Sequence, residues 1–300
     1  MRKLLLQIDS APHPSVFDRV VGFDGGADEV MSYGGVTPQA VRDLVHGCIF
    51  TRGPQDLKNT AIFIGGTDMA LGEQLLAAVT KSFFGPMRVS VMLDSNGSNT
   101  TAVAAVTKLR QAAGGDVHGK RAVVLAGTGP VGLRAAGLLA KAGADVTLTS
   151  RNPASPERLD AIVKRFGGSV RAAAMADSSQ APAVLDGAAL ILNTGPAGVR
   201  LVERAGWAGR AGLRAAADLN AVPPLGIDGI EVTDDGAQRE GVTVFGALGV
   251  GKLKMKIHKA CIARLFERND LVFDAETIAD ISTEIAPPPR AEQPVVQGRR

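Results

Sequence analysis

The chain reads as an α/β protein with two parts: an N-terminal α/β domain and a second domain built on a doubly wound parallel sheet. Short, continuous apolar runs at 121–126, 145–149, 188–192 and 214–217 alternate with helical patterns. Uninterrupted apolar strands of this kind belong to a parallel sheet covered on both faces. Glycine is abundant at 36 of 300 residues and aromatics make up only 4%, a mix suited to many tight strand–helix turns. The segment Gly127-Thr128-Gly129-Pro130-Val131-Gly132 lies directly between the strand RAVVLA and the helix PVGLRAAGLLAKAG.

In chain order, KLLLQID (3–9) predicts a first strand, and the glycine-rich stretch through FDGGAD and SYGGVTP predicts loop. Thr37 can cap a helix with Pro38 at its first position. CIFTR (48–52), TAIFI (60–64) and MRVSVML (87–93) read as strands, and Asp68 to Phe84 has helical spacing. SNTTAVAAVTKLRQAA (98–113) predicts a long helix capped by Ser98 or Asn99. The halves separate at AAGGDVHGK, which gives an N-terminal domain over 1–112 and a nucleotide domain over 113–272. Helices follow at Gly251–Phe266 and 273–285, the latter packing back on the first domain. The proline-rich tail 286–300 predicts disorder.

Several function classes are excluded at this stage. The net charge of +3 is interspersed rather than gathered on one basic face, which argues against a nucleic-acid partner. Cys48 and Cys261 form no CxxC pair, and the four histidines show no HExxH spacing, so neither a disulfide framework nor a metal site is expected. Gln7 and Asp9 interrupt the first apolar run too early for a signal peptide. No run approaches the roughly 18 apolar residues that cross a bilayer. A reduced, soluble, cytoplasmic protein is the expectation.

In its strand–turn–helix setting the glycine loop predicts a Rossmann-type dinucleotide site rather than a plain tight turn. Gly127 would make the turn, Gly129 would admit a pyrophosphate, and Gly132 would let helix and strand pack closely. The free N–H groups at the helix start, those of Val131 and Gly132 behind Pro130 at the first position, would face the phosphates together with Thr128. The next strand ends in Ser150-Arg151-Asn152, with no carboxylate for a ribose 2′-hydroxyl. A serine beside an arginine suits a 2′-phosphate, so NADP is expected, with NAD also possible. Asn193, Thr194 and Gly195 could line the nicotinamide ribose. Asp218 and Asn220 would sit at a strand's carboxyl end, in the cleft or in a turn.

In the first half, Asp24-Gly25-Gly26-Ala27-Asp28 and Asp94 to Thr101 carry more polar groups than a capped turn needs. Asp94, Asn96 and Asn99 offer donors and acceptors for a heterocycle with amide and amine edges. Later, GALGVGKLKMKIHKACI places Lys252, Lys254, Lys256, His258 and Lys259 at a loop–helix junction. A lysine run is usually a solvated face, but such a junction can deliver one of them to a cleft.

LDSNGSNTTA, VVLAGTGPVG, PPLGI and FGALGVGKLKMKIHKACIA, with SVFDRVVGFDGGAD and TAIFIGGTDMA, together resemble the NADP-dependent methylene-tetrahydromethanopterin dehydrogenases of aerobic methylotrophic bacteria. The resemblance spans roughly residues 3–285. It implies a substrate domain distantly similar to that of the methylene-tetrahydrofolate dehydrogenases and a homo-oligomeric cytoplasmic enzyme of one-carbon metabolism. The reaction implied is hydride transfer from methylene-tetrahydromethanopterin to NADP, with the folate carrier as a possible second substrate. Such a reaction needs no proton taken from carbon and therefore no metal or acid–base triad; it needs the two reactants held together. Asp24, Asp94 and Asp218 are the carboxylates that could stabilise developing positive charge, and Lys256, with Asn96, Asn99 and His258, could fix the pterin. A shikimate-type dehydrogenase and a non-catalytic NADP sensor are the competing readings.

Overall fold

The computed structural model describes residues 1–287, and the expected disorder of the tail lies beyond them for all but its first two residues. The chain opens with β1 (Leu4–Ile8), α1 (Val16–Asp24), β2 (Glu29–Tyr33) and α2 (Val41–Ile49). It continues through β3 (Thr60–Ile64), α3 (Met69–Lys81), β4 (Ser90–Leu93) and α4 (Ser98–Ala112). The second half contains β5 (Arg121–Leu125), α5 (Pro130–Lys141), β6 (Asp145–Ser150), α6 (Pro156–Phe166) and β7 (Ser169–Ala174). Then come α7 (Ala181–Val184), β8 (Leu190–Asn193), β9 (Ala215–Asp218), β10 (Asp235–Arg239) and β11 (Val242–Phe245). Last are α8 (Ala247–Arg264), β12 (Val272–Phe273) and α9 (Ala275–Ile285).

Two sheets result, with strand orders β12-β4-β3-β1-β2 and β10-β11-β9-β8-β5-β6-β7. Every pairing is parallel except the β10–β11 hairpin. In the second sheet the order turns back between β5 and β8, and ligands in such sheets bind at the carboxyl edge of that reversal. All four apolar runs predicted for this half are strands: β5, β6, β8 and β9.

The first half departs more from expectation. CIFTR is not a strand, because Cys48 and Ile49 complete the buried stripe Val41-Val45-Cys48-Ile49 of α2. That helix starts after Ala40, with Thr37 closing the preceding turn through its carbonyl and hydroxyl. Neither Ser98 nor Asn99 caps α4. Gly97 precedes it with φ +59°, and the Asp94 carboxylate accepts the first free amides. The stretch read as a loop contains α1 and β2, whose alternation of buried and open residues is weak.

The joint between the halves is helical. α4 packs against α5, α8 and α9, and α8 also touches α1. β12 pairs with β4 at the edge of the first sheet, so the chain has already returned to the N-terminal half at Val272. Ala102, Val103, Ala104 and Ala105 of α4 are fully buried in this joint, where small side chains allow close helix approach. Among the described residues no helix is long and apolar enough to cross a membrane.

Candidate functional site

Around the glycine loop, the three glycines divide the work differently from the sequence expectation. The residue with positive φ is Ala126, at +48°. Gly127 is needed for space, since a Cβ there would lie 2.8 Å from Leu148 and 2.9 Å from Val124. A Cβ on Gly132 would meet the Gly127 backbone at 2.4 Å, so helix and strand touch there without side chains. At Gly129 a Cβ would meet nothing within 4 Å. It faces open space at the start of α5, where Pro130 has no N–H to offer and the free N–H groups, from Val131 onward, take no side-chain cap. That is the cradle a diphosphate requires.

Beside it lies a cleft of about 470 Å³ whose lining includes Thr128, Ser150, Arg151, Met175, Pro196 and Leu201. Ser150 is at the boundary of burial and its hydroxyl turns back to the Asn152 carbonyl. Arg151 is exposed at the rim. A base that sequence reading passed over, Arg158 of α6, donates to the Thr128 carbonyl at 2.9 Å and braces the loop from outside.

Asn193, Asp218 and Asn220 behave differently from the cofactor-lining role expected of them. Asn193 and Asp218 are buried, and Asn193 Nδ2 donates to Asp218 Oδ1 at 2.6 Å. Asp218 also accepts the amides of Asn220 and Ile227, each at 2.9 Å. Asn220 accepts the Val222 amide and donates to the Pro224 carbonyl. These groups pin the loops after β8 and β9 to each other through hydrogen bonds within the protein. Thr194 and Gly195 remain partly open above them; the Thr194 hydroxyl donates to the Leu125 carbonyl and the Gly195 amide to Asn193.

The other cleft, about 460 Å³, lies at the carboxyl edge of the first sheet. Phe17, Asp18, Thr67, Asn96, Gly97 and Lys254 form its working surface. Asp9, at its floor, is occupied by the amides of Ala11 and Ser15 and so shapes the loop into α1. Burial pushes the Asp18 carboxyl above its ordinary value, opposed by the Ser15 hydroxyl and by Lys254. The Lys254 ammonium lies 4.3 Å from the centre of the half-exposed Phe17 ring.

Among the expected pterin residues, only Asn96 lines this cleft, in a left-handed conformation with φ 56°. Asp24 sits at the far end of α1 and pairs with Lys259 at 2.7 Å. Lys256 is exposed; two residues from Lys254, it points about 200° away around the helix. Asp94 and Asn99 lie behind the cleft. Asp94 is fully buried and accepts both the Thr100 hydroxyl at 2.6 Å and the first amides of α4. Burial raises it to about 7 against those bonds and the charge of Lys254. Asn99 joins the Leu93 carbonyl to Arg134. His258, one turn after Lys254, is buried and stacked on Phe63 at 5.4 Å, with neither ring nitrogen hydrogen-bonded.

Residues 16–96 match the family model described as methylene-tetrahydromethanopterin dehydrogenase, N-terminal. The bifunctional protein MdtA of Methylorubrum extorquens is 52% identical over 286 residues, covering 95% of this chain and 99% of its own length. An NAD(P)-dependent methylenetetrahydromethanopterin dehydrogenase of the same organism is 33% identical over 296 residues, covering 95% of this chain and 99% of its own. The chain belongs to the methylene-tetrahydromethanopterin dehydrogenase family. Shikimate 5-dehydrogenase from Listeria monocytogenes, in complex with shikimate and NAD, superimposes with a TM-score of 0.54 at 12% identity, covering 93% of this chain and 96% of its own. That likeness is one of fold alone.

Asp18 and Lys254 thus line the cleft that Asp24 and Lys256 do not reach. A period argument could have found them. Lys254 and buried His258 share one helix face, with Lys256 off it, and Asp18 shares SVFDR with Ser15, the N-cap of α1.

Proposed function

We propose that this protein moves a hydride between the methylene carbon of methylene-tetrahydromethanopterin and NADP, giving the methenyl form. Family membership makes it an oxidoreductase of one-carbon metabolism with a nicotinamide cofactor. The observation that carries the proposal is the pairing of two clefts across one helical joint: the bare backbone at Gly129 and the Asp18–Lys254 pair.

The residues present fit the cofactor, since Gly129 leaves space where any side chain would intrude and the start of α5 has no side-chain cap. When bound, the nicotinamide ring supplies the hydride acceptor. Ser150 and Arg151 would take the 2′-phosphate. A charge-assisted contact of about 1.5–3 kcal/mol gives roughly tenfold to hundredfold preference for NADP over NAD.

On the other side, Asp18 can accept from the amine and amide N–H edge of a pterin, while Lys254 donates to its ring carbonyl. The half-exposed Phe17 ring offers a flat wall, and Asn96 supplies a further donor and acceptor at the rim. Loss of hydride from a carbon between two nitrogens gives a delocalised cation directly, so these side chains need only bind and orient. The Asp18 carboxylate also places negative charge near the cation as it forms. The two buried free cysteines fit a reducing compartment, and we place the protein in the cytoplasm as a homo-oligomer.

The test is an absorbance assay at the NADPH band with methylene-tetrahydromethanopterin as substrate. Turnover with NADP exceeding that with NAD is expected. NADPH binding without turnover would leave a nucleotide-binding protein of another role, and turnover with shikimate alone would overturn the substrate.

A further inference from the structure

We propose that Glu73 is a positioning residue for hydride transfer: a single carboxylate oxygen that fixes the nucleotide-binding helix α5 against the pterin cleft. The proposal rests on the hydride-transfer reading above. A second, smaller cleft continues the first, sharing Thr67 with it and bounded by Asp68, Glu73, Pro130, Arg134 and Arg158. It lies between the starts of α3 and α5, where the two ligands must meet.

Glu73 Oε1 accepts from Arg134 Nη2 at 2.7 Å and from Arg165 Nη1 at 2.9 Å, so both guanidinium groups share one oxygen. Arg134 belongs to α5, one turn after the diphosphate cradle, and only 6% of it is exposed. Its Nε donates to Asn99 Oδ1 at 2.7 Å, and Asn99 Nδ2 donates in turn to the Leu93 carbonyl at 2.6 Å. Leu93 ends β4, and Asn96 and Gly97, three and four residues on, line the pterin cleft. On the outer side, Arg165 of α6 grips Glu276 of α9 through two bonds of 2.8 Å. One polar chain thus runs from the pterin cleft through α5 to α3, α6 and α9.

The apolar joint around α4 holds the halves together but lets helices slide, because dispersion and burial have no direction. A planar guanidinium held at Nε and Nη2 by different elements admits one orientation. Remove Glu73, and a nearly buried Arg134 faces Arg165 with no carboxylate between them. The helices stay packed while the gap between reactants is no longer fixed. A displacement of about 1 Å costs roughly 10²-fold in transfer rate.

Glu73→Gln keeps the shape and one acceptor oxygen while removing the charge. Its kcat should fall roughly tenfold to hundredfold, with the KM for the pterin and the fluorescence-measured Kd for NADPH within about threefold. The deuterium isotope effect on hydride transfer should rise as that step becomes limiting. In the nucleotide-free protein, amide exchange should quicken in the first turns of α3 and α5 and nowhere else. An unchanged kcat and isotope effect would overturn the proposal, as would NADPH affinity falling in step with kcat. Should Glu73→Gln fail to fold, Arg134→Lys keeps the charge, loses the two-point grip and carries the same expectations. If the wild-type protein bound NADPH but never turned over the pterin, the hydride reading would fall. The amide-exchange comparison still decides whether Glu73 braces the halves, and unchanged exchange would overturn that.

Discussion

The two clefts are built by different means. Around Gly129 the chemistry belongs to backbone: bare amides at a helix start, a close helix–strand contact at Gly132, and space where a Cβ would be. In the cleft proposed for the pterin it belongs to side chains brought from α1, the loops after β3 and β4, and α8. A backbone site is local in sequence, because one turn and one helix start contain all of it. A side-chain site depends on which face of each helix points inward, and that is settled by packing partners far along the chain. The sharpest way to break this contrast is at the glycines. Replacing Gly129 with Leu should weaken NADPH binding by a thousandfold or so, the loss of most of the diphosphate contacts, with circular dichroism and melting unchanged. Gly132→Val should instead unfold the protein, since its Cβ would sit 2.4 Å from the Gly127 backbone. Equal behaviour of the two variants in melting and NADPH titration would erase the distinction.

How far each half could be read from sequence follows the same division. Four predicted strands of the second half, β5, β6, β8 and β9, are present because their continuous apolar runs leave no other burial pattern. β7 and β10 escaped because edge strands are only partly covered and carry mixed residues; the inner strand β11, largely buried, was passed over as well. In the first half, α1 was hidden by its own surface: Val16, Phe17, Val20 and Phe23 are all exposed, so the apolar stripe that usually marks a core face points outward. The Asp94–Thr101 run illustrates the same limit. Its polar density lies beside a cleft, but Asp94 and Thr100 spend their hydrogen bonds on starting α4, Asn99 joins Leu93 to Arg134, and of the expected residues only Asn96 reaches the cleft. Residue type alone cannot separate a side chain that shapes a cleft from one that faces into it.

The lysines of α8 sharpen the comparison next. Lys254 lines the cleft proposed for the pterin and Lys256, two residues on, is exposed to solvent. Lys254→Ala should lower kcat/KM for the pterin by roughly 10²-fold, the loss of one charge-assisted hydrogen bond of about 3 kcal/mol. Lys256→Ala should leave it within about twofold. NADPH affinity, measured by fluorescence, should change in neither. A larger effect from Lys256 would return the helix register to the original sequence expectation. In the nucleotide cleft the corresponding cation is Arg151, and its effect should be smaller because it is exposed and screened. Arg151→Ala should raise the KM for NADP about tenfold and leave that for NAD alone; parallel increases would remove it from the 2′-phosphate site.

The smallest effect comes from the buried packing behind the cleft proposed for the pterin. Burial and the charge of Lys254 depress His258 from 6.5 to about 3, and neither ring nitrogen is hydrogen-bonded. The unfolded chain therefore binds a proton that the folded chain refuses, so stability is lost as pH falls below 6.5. Asp94 acts in the opposite sense. Burial raises it from 3.8 to about 7, and the folded chain takes up its proton first, so stability is gained as pH falls through 7 and is lost again on raising it. Between pH 7 and 5 the two slopes, each near 1.4 kcal/mol per pH unit at full strength, largely cancel. His258→Phe keeps the stacking on Phe63 and removes one of them. Its urea-unfolding stability relative to wild type should improve by about 2 kcal/mol between pH 7 and pH 5, leaving the rise due to Asp94 uncovered. A constant difference across that range would mean that His258 carries its proton in the folded protein, and with it that the packing around His258 and Phe63 is open to water rather than dry.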